Sequence, residues 1–408
     1  MHSTRRVKWD ANAMQHSLHD LGSPDFEALR VRAFNLRWAT VDEGVIPLTA
    51  ADPDLPVAPA IIEAIASYIR VPHFSYGPST GLPTFRNAVA RHFSQTKHAD
   101  VDSARVIATN SAASGITLVA KHVLRAGDEV IVQDPVDFLV AESVRRAGGS
   151  IGFWRAEAGR FTLDGLRAAI TEKTRALFLC HPHNPLGTLW TPNEVRAIAT
   201  LASERKIQIV SDEVWSDVVL DGRPMRSFAA HADEACAPWV IYGLSKGFGL
   251  AGLRIGAVIA PNAQRAAEFS HAQGFDHTIE GVSTISQIAA TAALEQCSEW
   301  RASFLTHCAK QRDGAINRLR KLEGITIDRA SEATFVVFAN ITATGIDESE
   351  LAQRIEHHAK VKVVPGSPRW FGTAAAGHIR LSLATTHEIL DEALTRIERA
   401  WPTILATV

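Results

Sequence analysis

The segment Ile241-Tyr242-Gly243-Leu244-Ser245-Lys246-Gly247-Phe248-Gly249-Leu250-Ala251-Gly252-Leu253-Arg254-Ile255-Gly256 places a lysine between an apolar run and a glycine-rich loop. A lysine amine can form a Schiff base with an aldehyde cofactor, and a desolvated site lowers its pKa so that it can do so. Eight residues later stands Arg254, whose planar fork of donors suits a phosphate. The glycines allow backbone to approach a ligand closely. Lys246 is therefore a candidate for covalent attachment of an aldehyde cofactor, the competing reading being a solvated lysine beside a turn. A second phosphate-binding element is the turn Asn110-Ser111-Ala112-Ala113, which follows a strand candidate and starts a helix. Free N–H groups and the helix dipole bind phosphate at such a place.

The elements that must position these residues alternate along the chain. Short apolar runs at Arg105–Thr109, Glu129–Gln133, Ala176–Cys180, Gln208–Ser211, Trp239–Tyr242 and Ile255–Ile259 read as strands. Helical patterns at Ser114–Leu124, Ala141–Ala147 and Pro192–Lys206 lie between several of them. That rhythm predicts an α/β fold with a mostly parallel sheet in an α/β/α sandwich. Ligands of such folds sit at the carboxyl ends of the strands, and nearly all the candidate polar residues follow a strand candidate. Upstream, a proline-rich entry precedes helices at Ala60–Ile69 and Leu82–Phe93. Downstream of Val282, long helices (Thr284–Glu295, Trp300–Leu322, Glu348–Lys360, Thr386–Trp401) and short strands (Thr334–Ala339, Val361–Val364, His378–Leu383) predict a smaller α+β domain. The expected organisation is an N-terminal segment, 1–48, packing with the small domain or a partner subunit; a large domain, 49–282; and linking helices with a small domain, 283–408.

The Lys246 segment resembles the Ser-x-x-Lys…Gly-x-Arg-x-Gly signature of class I/II aminotransferases, in the fold-type I superfamily dependent on pyridoxal 5′-phosphate. Tyr76-Gly77-Pro78-Ser79-Thr80-Gly81-Leu82-Pro83, His181-Pro182-His183-Asn184-Pro185-Leu186-Gly187, Ser211-Asp212-Glu213-Val214, Val364-Pro365-Gly366-Ser367 and His378-Ile379-Arg380-Leu381-Ser382 resemble further motifs of that family, in family order. The resemblance implies roles. Lys246 forms the Schiff base and, once displaced by substrate, shuttles protons. Asp212 keeps the pyridine nitrogen protonated, so that the ring acts as an electron sink. Asn184 donates to the phenolic oxygen. Arg254 joins Ser111, Ala112 and Ala113 of the helix start at the phosphate, with Ser245 as the replacement for a phosphate-binding serine at Gly243. Arg380 grips the substrate α-carboxylate, which orients the α-carbon and selects the bond that breaks. Tyr76 reaches the phosphate of a neighbouring subunit's cofactor, which implies a homodimer.

Three positions depart from the family pattern. Asp137 stands where an aromatic usually stacks on the ring, with Phe138 next to it as a substitute. Trp215 stands where a tyrosine usually donates to the phenolic oxygen, and tryptophan donates only from its ring N–H. Gly243 stands where a phosphate-binding serine is usual. The reaction implied is transamination between an amino acid and a 2-oxo acid. The alternative is β-elimination, since Val7-Lys8-Trp9-Asp10, Thr49-Ala50-Ala51-Asp52-Pro53-Asp54 and Glu213-Val214-Trp215-Ser216-Asp217 resemble segments of the cystathionine β-lyase branch. Cyclisation, decarboxylation, oxidation or a non-catalytic sensor are further alternatives.

Composition bounds the rest. At 46% hydrophobic and 21% charged residues, the 408-residue chain can bury a sizeable core. A net charge of −2, with both signs spread along the sequence, argues against nucleic acid or an anionic membrane as a partner. Cys180, Cys236, Cys297 and Cys308 form no metal-type spacing. The N-terminus has no apolar stretch of a signal peptide, and no run approaches the roughly 18 apolar residues of a membrane span; a cytoplasmic enzyme without a metal is expected.

Overall fold

The computed structural model describes residues 20–231 and 237–406. The Val7–Asp10 motif and Cys236 lie outside the described residues. A seven-stranded sheet forms the centre: β1 (Val106–Thr109), β2 (Glu129–Asp134), β3 (Ser150–Arg155), β4 (Thr174–Cys180), β5 (Gln208–Asp212), β6 (Trp239–Gly243) and β7 (Gly256–Ile259). Their spatial order is β1-β7-β6-β5-β4-β2-β3. Strands β6, β5, β4, β2 and β3 run parallel, whereas β7 is antiparallel to both β1 and β6. The sheet is mostly parallel, as the alternation of strands and helices predicts. Strands buried on both faces read as continuous apolar runs, and β1, β6 and β7 are buried along their whole length.

Connecting helices carry their own signals. In α1 (Ala112–Val123), Ser111 is the N-cap and accepts from the Ser114 N–H. In α2 (Phe138–Arg146), Asp137 is the N-cap. In α3 (Pro192–Glu204), Thr191 and Glu194 form a reciprocal capping box with Pro192 in the first turn. Strand β3 was absent from the sequence reading. It is an edge strand, mostly solvent-facing, with Gly152 in its middle, so it carries neither an apolar run nor alternation.

A second core surrounds an antiparallel sheet of β8 (Val336–Asn340), β9 (Val364–Pro365) and β10 (His378–Ser382), with β10 central. Trp38, Ile46 and Leu48 from the N-terminal segment belong to this core. Ile46–Pro47 also pairs in parallel with Val361–Lys362. Helix α4 (Ser298–Leu319) joins the two cores: Trp300, Phe304 and Cys308 pack in the first, and Ala315, Ile316 and Leu319 in the second.

One buried cluster fixes the backbone behind the Lys246 loop. Asp217 Oδ1 accepts from Lys97 Nζ at 2.7 Å and Arg301 Nη1 at 2.6 Å, with His92 Nε2 at 2.7 Å. Its Oδ2 accepts from the Tyr242 hydroxyl at 2.6 Å. Burial alone would raise the Asp217 carboxyl, but Lys97, His92 and Arg301 hold it well below the usual carboxylate range. Gly247 lies against this cluster, and a Cβ there would come within 2.5 Å of Asp217 Cβ. Removing one partner of a buried ion pair strands the others, at about 3–5 kcal/mol. Asp217→Ala should therefore lower the chemical-denaturation free energy by about that amount, measured on the cofactor-free protein; a loss below about 1 kcal/mol would contradict the role given to the cluster.

Candidate active site

The carboxyl ends of the parallel strands open onto a cavity of about 570 Å³. Asp137 follows β2, Asn184 follows β4, Asp212 ends β5 and Lys246 follows β6. Strand β7 runs the other way, so Arg254, which precedes it, joins the same edge. Ser111, Ala112, Ala113, Phe138, Asn184, Asp212, Trp215, Ser245, Lys246, Arg254 and Arg380 all line the cavity. Tyr76 does not; it is 92% exposed on the surface.

Lys246 Nζ donates to the Ala51 carbonyl at 2.5 Å and lies 5.5 Å from the centre of the Trp215 ring. The surrounding protein removes enough water to lower the amine's pKa, against the opposing carboxylates of Asp52 and Asp137. Asp212 is buried, and among the described residues no cation lies within ion-pair distance of it. Burial raises its carboxyl to about 7, with the Val214 N–H opposing and Asp137 adding to the rise. A buried carboxyl without a cation suits a ligand that brings one, such as a protonated ring nitrogen.

At the other end of the cavity, Ser111 (φ +137°) caps α1, and its hydroxyl accepts from Arg254 Nη2 at 2.9 Å. Helix N–H groups, a hydroxyl and a guanidinium together form a donor set for a phosphate. Gly243 is fully buried here; a Cβ would stand 3.0 Å from Val214 Cγ2 and 3.1 Å from Ala112 Cβ. The packing of α1 against β6 therefore leaves no room for a serine without a shift.

Arg380 is buried on β10. Its Nη2 donates to the Thr49 carbonyl at 3.0 Å and its Nη1 to Asn184 Oδ1 at 3.3 Å, while Nε has no partner. Its guanidinium lies 4.9 Å from the Phe371 ring centre. Burial lowers its pKa to about 10, opposed by Asp137. Asn184 Nδ2 in turn donates to Asp137 Oδ2 at 3.1 Å. An amide nitrogen has two donors, so one stays free for a cofactor oxygen. Phe138 lines the cavity and packs edge-on to Trp370 at 5.9 Å.

Several lining residues were not singled out from sequence. Asn35 and Leu36 reach the cavity from the N-terminal segment, and Trp370 and Phe371 from the short helix Pro368–Phe371 after β9. Ala50 and Ala51 sit in the Thr49–Asp54 segment, which the lyase-type motif had flagged. Asp54 there is held by Arg37 Nη2 at 2.5 Å and the Trp38 ring N–H at 2.9 Å. No signal in the sequence marks Asn35 or Leu36. Among the described residues no cluster of three or more histidines, cysteines or acids could hold a metal, and no helix is long and apolar enough to cross a membrane.

Comparison with known proteins adds to this geometry. The family model described as aminotransferase class I and II matches residues 43–397. An aspartate aminotransferase of Pyrococcus horikoshii is 30% identical, covering 88% of this chain and 91% of the relative. Aromatic-amino-acid aminotransferase 2 of Thermococcus litoralis is also 30% identical, covering 88% and 92%. The crystal structure of cystalysin from Treponema denticola, described as containing pyridoxal 5′-phosphate, shares the fold with a TM-score of 0.85 at 20% identity, covering 95% of this chain and all of that one.

The Asp212 carboxyl gives a prediction with a definite sign. Its folded pKa of about 7 lies above the ordinary 3.8, so ionisation costs stability progressively as pH rises from about 4 to 7. Thermal unfolding of cofactor-free protein should show Asp212→Asn stabilised relative to wild type at about pH 8, with the gain shrinking toward about pH 4. A pH-independent difference would contradict this assignment.

Proposed function

The chain belongs to the class I and II aminotransferase family, and from that premise we propose that it transfers the amino group of an amino acid to a 2-oxo acid with pyridoxal 5′-phosphate held at Lys246. The observation that carries this reading is the convergence of Lys246, Asp212, Asn184, Arg254 and Arg380 on one cavity. Bound there, pyridoxal phosphate supplies an electron sink for charge developing at the substrate α-carbon.

The protein's own groups do the rest. Arg254, Ser111 and the N-terminus of α1 bind the phosphate. Asp212 holds a proton on the ring nitrogen of the cofactor, and the cation completes a carboxylate that has none in the protein. The second Asn184 N–H would serve the phenolic oxygen. Arg380 binds the α-carboxylate: its plane is fixed by Thr49, Asn184 and Phe371, and its unpartnered Nε is left to donate. That clamp orients the α-carbon. Lys246 Nζ then takes and returns the α-proton, and burial, which lowers its pKa, makes the amine a readier proton carrier. Trp215 and Phe371, both buried, exclude water.

We also place the protein in a homodimer with Tyr76 entering the partner's site. Tyr76 is outside its own cavity, and Ile62, Ile69, Val71 and Phe74, all exposed, lie near it in the sequence and offer apolar surface for an interface.

The loaded enzyme given an amino acid alone should accumulate 2-oxo acid and the pyridoxamine form of the cofactor, and should turn over only when a second 2-oxo acid is added. Lys246→Ala should slow this by about 10²–10⁴-fold. Pyruvate with ammonia released in the absence of any acceptor would contradict transamination and mark β-elimination. Mixing Tyr76→Ala with Lys246→Ala subunits should restore activity, because the hybrid dimer holds one intact site if Tyr76 acts across the interface; no recovery above the separate variants would place Tyr76 elsewhere.

A further inference from the structure

We propose that Asp134 is a positioning residue for the substrate-carboxylate clamp, holding the turn that sets Phe371 against Arg380. This rests on the reading above, in which Arg380 takes the α-carboxylate. Asp134 ends β2 and is fully buried, yet it does not line the cavity. A buried carboxylate is tolerated where donors match its oxygens. Here Oδ1 accepts from the Ala374 N–H at 3.0 Å and Oδ2 from the Thr373 hydroxyl at 2.9 Å. Arg155 Nε stands 3.6 Å from Oδ2 on a side chain that is 66% exposed, and a contact so open to water contributes little. The matching is done by a turn 239 and 240 residues further along the chain.

That turn is shaped for the contact. Gly372 has φ +88°, in the region that favours glycine, and a Cβ there would come within 2.5 Å of Asp134 Oδ1. Another bond runs beside it, from the Val136 N–H to the Phe371 carbonyl at 2.8 Å. The end of β2 thus holds Phe371, Thr373 and Ala374 in place. Phe371 belongs to a small cluster with Val364 and Ala375, apart from both large cores. Hydrogen bonds rather than core packing therefore fix its position.

Phe371 in turn bounds the clamp, with its ring centre 4.9 Å from the Arg380 guanidinium. Three residues beyond Asp134, Asp137 Oδ1 accepts from the Leu139 N–H at 3.2 Å and Oδ2 from Asn184 Nδ2 at 3.1 Å. Asn184 Oδ1 accepts from Arg380 Nη1. The loop after β2 therefore sets two neighbours of Arg380, an amide through Asp137 and an aromatic ring through Asp134. A carboxylate clamp displaced by about 1 Å loses much of its power to orient the α-carbon.

The test uses the pyridoxal phosphate-loaded enzyme and two carboxylic acids without an α-amino group, 3-phenylpropionate and glutarate, with binding read by calorimetry. Thr373 is exposed, so Thr373→Val removes one bond without touching a core. It should weaken both acids about three- to tenfold, and Thr373→Ser should restore them. Asp134→Ala should weaken both by at least about tenfold. Affinity for pyridoxal phosphate, read from its absorbance, should stay within about twofold in these variants, whereas a general loosening of the fold would lower it as well. In a Phe371→Leu background, Thr373→Val should cost less than about twofold more, because Phe371 carries the effect. Unchanged acid binding in either variant, an equal loss of cofactor affinity, or a full additional loss in the Phe371→Leu background would overturn the inference. Arg380→Leu separates the two readings. If it binds the acids as the wild type does, or the wild type binds neither, the site assignment has failed and the inference with it. If it weakens them while the Asp134 and Thr373 variants do not, the inference alone has failed.

Discussion

The Lys246 amine and the Asp212 carboxyl share one water-poor cavity without pairing. Burial pushes each toward its neutral form, the amine down and the carboxyl up to about 7. A protein built for stability alone would bring such groups together or replace them by apolar residues. Here Arg380 keeps an unpartnered buried Nε, and the N-terminus of α1 and Arg254 face the same space. The cavity is a set of charges awaiting a ligand that carries a phosphate, a protonated ring and a carboxylate. The rest of the structure holds these groups apart and in register.

Two cores share that work. The large sheet supplies Asp212, Asn184 and Lys246 from the ends of neighbouring parallel strands, and the reversed direction of β7 brings Arg254 to the same edge. Arg380 comes from the second core and crosses to Asn184 and Thr49. Helix α4 packs in both cores, so one continuous element links the core that carries Lys246 to the core that carries Arg380. Beneath the Lys246 loop, the Asp217 cluster ties β6, through Tyr242, to Lys97 and to Arg301 on α4.

Much of this was legible in the sequence, and the reason is physical. Continuous apolar runs identify strands buried on both faces, so β1, β4, β5, β6 and β7 were read within a residue or two. The solvent-facing edge strand β3 has no such run. Lys246 and Arg254 stood out by residue type and spacing, and Asn184, Asp212 and Arg380 by the family resemblance; strand ends, where an α/β sheet presents ligands, agree with most of them. The pairing of Asp217 with His92, Lys97, Arg301 and Tyr242 was invisible, since these partners are joined across as many as 125 residues. Asn35 and Leu36 come from a segment with no motif, and the role of Asp137 as a fixed carboxylate emerged only when its bonds to Asn184 and Leu139 were seen. The antiparallel course of β7 carries no sequence signature of its own.

The central claim is that Lys246 is the attachment point of the cofactor, and the most direct measurement is covalent. Borohydride reduction of the loaded enzyme, followed by proteolysis and mass mapping, should place a phosphopyridoxyl group on the peptide containing Lys246 and on no other. A label on a different lysine, or none while the cofactor's absorbance is present, would contradict the account.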